Sequence, residues 1–316
     1  MRIAFLGTPD FAVPSLEALL GAGHEIVCVA TQPDRPSGRH ALLTAPPVKR
    51  VALAYGLPVL QTANVNERAF VAALAERAPE AIVVAAFGQK LRRRVLALPR
   101  LGCLNVHASL LPRHRGAAPV AHAILAGDAE TGVTIMRMNE RVDAGDILAQ
   151  EATPIGPRET TGDLTARLAS LGAGLLVRTL SAIAAGTAHP IPQDPSLATR
   201  APALDKADGV IPWDRPAAYL ARFVRAMAPW PGAFTFMRRP GKPPLRLVVH
   251  EAEPLEGPAA PPGEVAIAEG DCLVVGTGHA LLRLLTLQPA GGRTMSASDF
   301  LRGHRVAVGD RFGKPD

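Results

Sequence analysis

Three residues in the middle of this 316-residue chain have the types and spacing for chemistry at a carbonyl: Asn105, His107 and Asp143. Asn105-Val106-His107 closes an apolar run beginning at Gly102 that reads as a strand. Side chains alternate along a strand, so Asn105 and His107 share one face and Val106 takes the other. An amide and an imidazole side by side can both donate to an oxygen as it gains negative charge, which suits acyl transfer to an amine. An isolated N-x-H more often only satisfies a loop backbone, and the context has to decide. The chain continues through Leu110-Leu111-Pro112 and Arg115-Gly116 to Pro119, a shaped loop rather than a helix. Further on, Asp143 precedes the small pair Ala144-Gly145 and can point back into the same crevice. A carboxylate beside His107 favours the charged, doubly donating imidazole. It can also draw a proton, through water, from an attacking amine.

These side chains need a sheet edge to hold them. Residues 2–7 are a short apolar run ending in Gly7, the pattern of a buried strand. A turn at Thr8-Pro9-Asp10 leads into a helix from Pro14 that stops at Gly21. Further strands are expected at 26–31, 81–86 and 102–106, with a helix at 67–78. Strands alternating with helices predict a parallel sheet covered on both faces. In such sheets ligands bind in the crevice at the strand carboxyl ends, so Gly7-Thr8-Pro9, Phe87-Gly88-Gln89 and the segment after Val106 should meet there. Residues 133–138 and 146–150 read as a hairpin through 139–145. Residues 160–186 read as a helix, capped by Thr160 or Thr161 and closed at Gly186. The stretch 187–206 has four prolines and no period, and reads as an interdomain linker. Beyond it, Asp214 is expected to cap a helix with Pro216 in its first turn, running to about Met227. Short strands at 234–237, 245–250, 264–267, 272–275 and 281–287 then predict a small β-barrel. The fold class is thus α/β: a Rossmann-like parallel-sheet domain over 1–187, a linker over 188–206, and a small OB-like β-barrel over 207–316.

Hydrophobic residues at 48% and charged residues at 20% fit a globular chain able to bury a core without a metal or disulfide staple. Cys28, Cys103 and Cys272 show no C-x-x-C spacing and read as buried thiols in a reducing compartment. Met1-Arg2 leads straight into a strand, and no run of about 18 apolar residues stands out, so a soluble cytoplasmic protein without a membrane span is expected. The net charge of +6 is unevenly spread: residues 35–66, 81–127 and 215–250 contain no Asp or Glu. The middle stretch carries Arg92, Arg93 and Arg94, and the last carries Arg215, Arg222, Arg225 and Arg246. Basic charge segregated in this way points to a polyanionic partner such as nucleic acid. Trp213 and Trp230 read as core anchors, His114 as peripheral, and Arg115 as equally suited to substrate contact or packing.

Several motifs together carry a family resemblance. They include Phe5-Leu-Gly-Thr-Pro-Asp-Phe-Ala, Thr31-Gln-Pro-Asp-Arg-Pro, Asn105-Val-His-Ala-Ser-Leu-Leu-Pro, Asp143-Ala-Gly-Asp-Ile-Leu, Ala228-Pro-Trp-Pro-Gly and Leu287-Gln-Pro-Ala-Gly. Along nearly its full length the chain resembles the methionyl-tRNA formyltransferases, a branch of the 10-formyltetrahydrofolate-dependent formyltransferases. The resemblance implies transfer of a formyl group from 10-formyltetrahydrofolate, as co-substrate, to the α-amino group of methionine on initiator tRNA. It implies neither a metal nor a covalent enzyme intermediate, and a monomer is expected. Asn105 and His107 would hold the formyl oxygen, and Asp143 would position His107 and help remove the amine proton. The pteridine would sit near Phe87, Gly88, Ser109, Leu110, Leu111, Pro112 and Asp143. Arg39 and Lys206 match basic positions of the family expected to meet tRNA, while Ala41, Leu42 and Ala203 stand where lysines are usual. The arginines at 92–94 and 222–246 are expected to compensate.

Other functions fit less well. A nicotinamide-dependent oxidoreductase would need glycines where Pro9 occupies the first turn, and no G-x-G-x-x-G follows the first strand. The same formyl chemistry directed at an amino-sugar nucleotide, or at a purine precursor, would leave Pro229-Trp230-Pro231-Gly232 and Gln288-Pro289-Ala290-Gly291 without a reason. A non-catalytic RNA-binding protein would not need the intact Asn105, His107 and Asp143.

Overall fold

The structure, a computed structural model, describes residues 1–37, 42–239 and 242–314. By its contacts the chain divides into two compact units. The first takes Met1–Pro119, Glu130–Pro154 and Thr165–Pro202, and the second takes Val120–Ala129, Ile155–Leu164 and Ala203–Asp316.

Elements up to the end of the long helix run β1 Arg2–Gly7, α1 Val13–Gly21, β2 Glu25–Thr31, β3 Arg35–Ser37, β4 Leu42–Thr44, α2 Pro47–Ala54, β5 Val59–Gln61, α3 Arg68–Glu76, β6 Ala81–Ala85, α4 Arg93–Leu96, β7 Cys103–His107, β8 Arg115–Gly116, α5 Pro119–Ala126, β9 Glu130–Arg137, β10 Ile147–Pro154 and α6 Thr161–Ala184. A seven-stranded sheet in the order β10-β9-β7-β6-β1-β2-β5 forms the first unit. Strands β1, β2, β5, β6 and β7 are parallel, whereas β9 and β10 are antiparallel. Strands β1, β2 and β6 are buried almost throughout, which is why their sequences read as continuous apolar runs rather than alternating ones. One face of the sheet packs Leu6, Ile82 and Val84 against Phe70, Leu74 and Val95 from α3 and α4.

Helix α6 lies where β7 and β9 need cover. A Cβ on Gly172 would fall 2.9 Å from Val106 Cγ1 and 3.1 Å from Val133 Cγ1, so the backbone of α6 rests directly on these two valines. Val106 therefore faces α6 while Asn105 and His107 face away from it, as strand alternation requires. The helix is long and apolar enough to cross a membrane by length and hydropathy, but Leu168, Leu176 and Leu180 along it are fully buried within the protein. Its start is a reciprocal cap. Thr160 Oγ1 accepts from the Asp163 N–H at 3.2 Å, and Asp163 Oδ2 accepts from the Thr160 N–H at 3.1 Å. We expect Gly172→Ala to lower the unfolding free energy by about 1–3 kcal/mol, because β-branched neighbours on a strand cannot yield easily. Urea melts of the variant beside the parent measure this.

The remaining elements are β11 Arg200–Ala201, α7 Ala217–Ala226, β12 Ala233–Arg239, β13 Lys242–Leu255, β14 Val265–Glu269, β15 Cys272–Gly276, β16 Leu281–Pro289, β17 Met295–Ser296, α8 Ala297–Gly303 and β18 Phe312–Gly313. Strands β12 to β16 and β18 form an antiparallel sheet in the order β14-β15-β16-β13-β12-β18, with β17 paired to β16. The two edges of this sheet meet. The Val265 N–H donates to the Asp310 carbonyl (2.8 Å), the Phe312 N–H to the Gly263 carbonyl (2.7 Å) and the Gly309 N–H to the Val265 carbonyl (2.9 Å). Closure leaves no open edge between β14 and β18 and makes the small barrel that the short strands predict. Leu247, Leu273, Leu282, Leu284 and Leu287 are fully buried in this unit. Helix α7 covers β13 with Leu220, Phe223 and Val224.

Three expectations need correction. Asp214 does not cap α7: the cap position is Pro216, in extended backbone with no side-chain bond, so the helix begins one residue beyond the proline. Trp230 is not a core anchor, being 54% exposed, whereas Trp213 is buried and donates from Nε1 to Thr235 Oγ1 at 3.0 Å. Cys272 is not a buried thiol; it is partly exposed, while Cys28 and Cys103 are buried. Residues 188–206, expected to link the two domains, carry pairing of their own: Ile191 exchanges two 2.8 Å hydrogen bonds with Ile147, and β11 pairs with β8. Burial pushes the Cys28 thiol up to about 11, against the pull of Arg77, and Cys103 to about 12. Iodoacetamide on the folded protein should therefore label Cys272 alone at neutral pH, with peptide mass spectrometry as the readout.

Candidate active site

The loops at the strand carboxyl ends converge as the parallel sheet requires. Thr8 Oγ1 donates to the Phe87 carbonyl (3.3 Å) and accepts from the Gln32 N–H (3.3 Å). Gln32 Nε2 also donates to the Phe87 carbonyl, at 3.2 Å. Beside them, Lys49 and Gln61 hold Asp34, and the lysine hydrogen bond above all keeps that carboxyl below the usual range.

Strand β7 delivers Asn105 and His107 to this edge, and the turn between β9 and β10 delivers Asp143. Asn105 Nδ2 donates to Asp143 Oδ1 at 3.5 Å, and His107 Nδ1 stands 3.8 Å from Asp143 Oδ2. Asp143 Oδ2 also accepts from the Gly116 N–H at 2.9 Å. The side chains of His107 and Asp143 are only 6% and 13% exposed, so their interaction is poorly screened by water. His107 Nε2 lies 3.0 Å from the His114 carbonyl. A carbonyl only accepts, so Nε2 carries a proton and Nδ1 is the nitrogen turned towards Asp143.

The turn that carries Asp143 depends on close approach. A Cβ on Gly145 would fall 1.7 Å from the Arg137 carbonyl oxygen, so only glycine lets the hairpin cross there. Asp143 itself sits at φ +47°, a left-handed conformation that Asp tolerates better than most residues. The loop after β7 is held by a buried threonine. Thr134 Oγ1 donates to the Ser109 carbonyl (2.6 Å) and accepts from the Leu111 N–H (3.1 Å), while Gln150 Nε2 donates to the Leu111 carbonyl (2.8 Å).

The residues expected around a pteridine fall into two groups. Phe87 is in the core, Leu111 is buried, and the buried Ser109 donates from Oγ to the Arg113 carbonyl at 2.7 Å, so all three are occupied in shaping the site. Gly88, Leu110, Pro112 and Asp143 keep accessible surface. Of the basic residues expected to meet tRNA, Arg39 lies outside the described residues and Lys206 is exposed. Arg92, Arg93 and Arg94 are exposed as well. Arg225 is committed internally, donating to the Glu159 carbonyl at 2.9 Å, and burial lowers its pKa. Arg215 stacks over Tyr219 and Arg246 over Phe234. Arg115 is also committed: Nε and Nη2 donate to Gln193 Oε1 at 3.0 and 2.6 Å. Among the described residues, no group of three His, Cys, Asp or Glu side chains is arranged to hold a metal ion.

Four contributors escape sequence reasoning. Thr134, Gln150 and Gln193 act on distant backbone, and their positions carry no chemical motif. His114, expected to be peripheral, is buried and contributes its carbonyl to His107.

The first unit sets an amide, an imidazole and a carboxylate at the carboxyl edge of its sheet, and the second unit forms a small barrel. The chain belongs to the formyl transferase family: the family pattern described as "Formyl transferase" matches residues 1–180, and "Formyl transferase, C-terminal domain" matches residues 203–305. Its full-length relatives place it more narrowly. The methionyl-tRNA formyltransferase of Moorella thermoacetica is 49% identical over 99% of both chains. That of Aromatoleum aromaticum is 48% identical over 99% of this chain and 97% of its own. Among solved structures, an N-formyltransferase from Helicobacter canadensis, in complex with folinic acid and dTDP-3-aminofucose, superposes with a TM-score of 0.62. It is 15% identical, over 90% of this chain and 98% of its own, a likeness of fold alone.

Proposed function

We propose that this chain transfers the formyl group of 10-formyltetrahydrofolate to the α-amino group of methionyl initiator tRNA, for translation initiation. The observation that carries the chemistry is the convergence of Asn105, His107 and Gly116 on the Asp143 carboxylate at the sheet edge. The acceptor follows from full-length similarity to methionyl-tRNA formyltransferases.

The amine nitrogen bonds to the formyl carbon and gives up a proton, and the bond from that carbon to the folate nitrogen breaks as that nitrogen takes up a proton. Asn105 Nδ2 and the Nδ1 edge of His107 donate to the formyl oxygen while it carries negative charge. With Nε2–H already given to the His114 carbonyl, His107 donates from Nδ1 only as the imidazolium. Asp143 also directs the amine proton out of the site. The folate donor lies along Gly88, Leu110 and Pro112, over the wall made by Phe87, Ser109 and Leu111. In this reading residues 1–187 carry catalysis, 188–206 connect, and 207–316 bind tRNA, with Arg39 and Lys206 as phosphate contacts. The protein acts as a cytoplasmic monomer that needs neither metal nor membrane.

The deciding experiment offers purified protein 10-formyltetrahydrofolate with charged initiator tRNA, charged elongator tRNA or an amino-sugar nucleotide. Formylation of initiator tRNA is expected, and formylation of the sugar alone would overturn the acceptor while leaving the chemistry standing. Phosphate contacts make a second prediction. With two such contacts, KM for tRNA should rise roughly tenfold between 50 and 200 mM salt, whereas KM for the folate should hardly move. A flat tRNA response would remove the phosphate contacts from the account.

A further inference from the structure

The segment after α6 does more than connect. Gln193 donates from Nε2 to two carbonyls of the catalytic turn, Asp143 at 3.0 Å and Gly145 at 2.7 Å. Its Oε1 accepts twice from the Arg115 guanidinium. Both ends of this amide are thus used, and they tie two loops that are far apart in sequence. Thr199 grips the same loop from the other side. Its Oγ1 accepts from the His114 N–H (2.8 Å), its carbonyl accepts from the Arg115 N–H (2.9 Å), and its N–H donates to the Pro112 carbonyl (3.4 Å).

These contacts close a ring. Thr199 holds His114, the His114 carbonyl holds His107 Nε2, and His107 Nδ1 faces Asp143. Gln193 holds the Asp143 carbonyl and, through Arg115, returns to Thr199. The 2.9 Å bond from the Gly116 N–H to Asp143 Oδ2 braces the ring across its middle. Every bond of the ring lies within the first unit. Asp143 needs such a hold, since it sits at positive φ on a turn whose own strand pairing ends at Arg137 and Ile147.

The geometry points to Gln193 as a positioning residue for the formyl transfer, fixing the Asp143 carboxylate against His107 and Asn105 without touching the substrate. The inference rests on the catalytic roles given above. It concerns Asp143 rather than the identity of the acceptor, so it is tested with whichever acceptor the enzyme formylates. A misplacement of about 1 Å at a reacting group costs up to about 10²-fold in rate. Gln193→Ala in the full-length enzyme is therefore expected to lower kcat by about 10–10²-fold, with both KM values within about threefold of the parent. Gln193→Glu nearly conserves shape but turns an oxygen onto the Asp143 and Gly145 carbonyls, so it should be at least as damaging. Should the alanine variant fail to fold, the glutamate variant carries the test. In an Asp143→Asn background, Gln193→Ala should add less than about twofold, because the group it positions is already disabled. Wild-type kcat in Gln193→Glu, a loss confined to KM, or fully additive losses in the double variant would each overturn the proposal. Failure to formylate tRNA with retained non-additivity on another acceptor would overturn only the acceptor.

Discussion

Asn105→Ala is expected to lower turnover by about 10²–10³-fold and to leave the protein folded, because one donor to a developing oxyanion has that effect on kcat. The fold should survive because Asn105 is only part buried and its one bond, to Asp143, is long at 3.5 Å. Its backbone stays in the middle of the sheet, between β6 and β9. His107→Ala should be as damaging to turnover and slightly worse for stability. It leaves the buried His114 carbonyl without the 3.0 Å donor it has in the parent, at a cost of about 1–3 kcal/mol. Single-turnover formylation separates the two effects from binding, and a circular dichroism melt reports the fold. Either variant turning over at the parent rate would remove its residue from the oxyanion site.

Asp143→Asn is the second large effect. The carboxylate has donors on both oxygens: Asn105 on Oδ1 and Gly116 on Oδ2, with His107 Nδ1 3.8 Å from Oδ2. An amide has one oxygen. Whichever way it turns, its NH₂ meets either Asn105 Nδ2 or the Gly116 N–H, so two donors face each other. Turnover is expected to fall by about 10²–10⁴-fold, the range for removing a general acid–base group, with KM for both substrates little changed. Retention of more than about a tenth of parent kcat would show that Asp143 neither handles the proton nor supports His107.

Much of the first unit is legible in the sequence. Strands β1, β2 and β6 are short and almost continuously apolar because they are buried on both faces, and that burial is written directly into residue type. The hairpin of β9 and β10 and the closed barrel followed from alternation and from regularly spaced Gly and Pro. The short pieces were harder. Strand β5 has three residues, too few for any period to show. Helix α2 opens on Pro46-Pro47, which suits a helix start but reads equally as a loop. Asp214 looked like a cap because Asp commonly is one, and Pro216 took the position instead. Trp230 looked like core because tryptophan usually is, yet it stands in the turn between α7 and β12, half in solvent.

What the sequence determined by itself was the chemistry: which side chains stand on one face of β7, which carboxylate is free to join them, and which family carries that set. These follow from residue identity and from the two-residue period of a strand. Only the tertiary structure decided how the set is held. The His114 carbonyl on Nε2, the Gly116 N–H on Asp143 and the Gln193 amide across two loops are backbone or long-range contacts. A backbone carbonyl has no sequence signature. A glutamine in a proline-rich stretch shows its purpose only once the folded chain has brought residues 115 and 143 each within a hydrogen bond of residue 193.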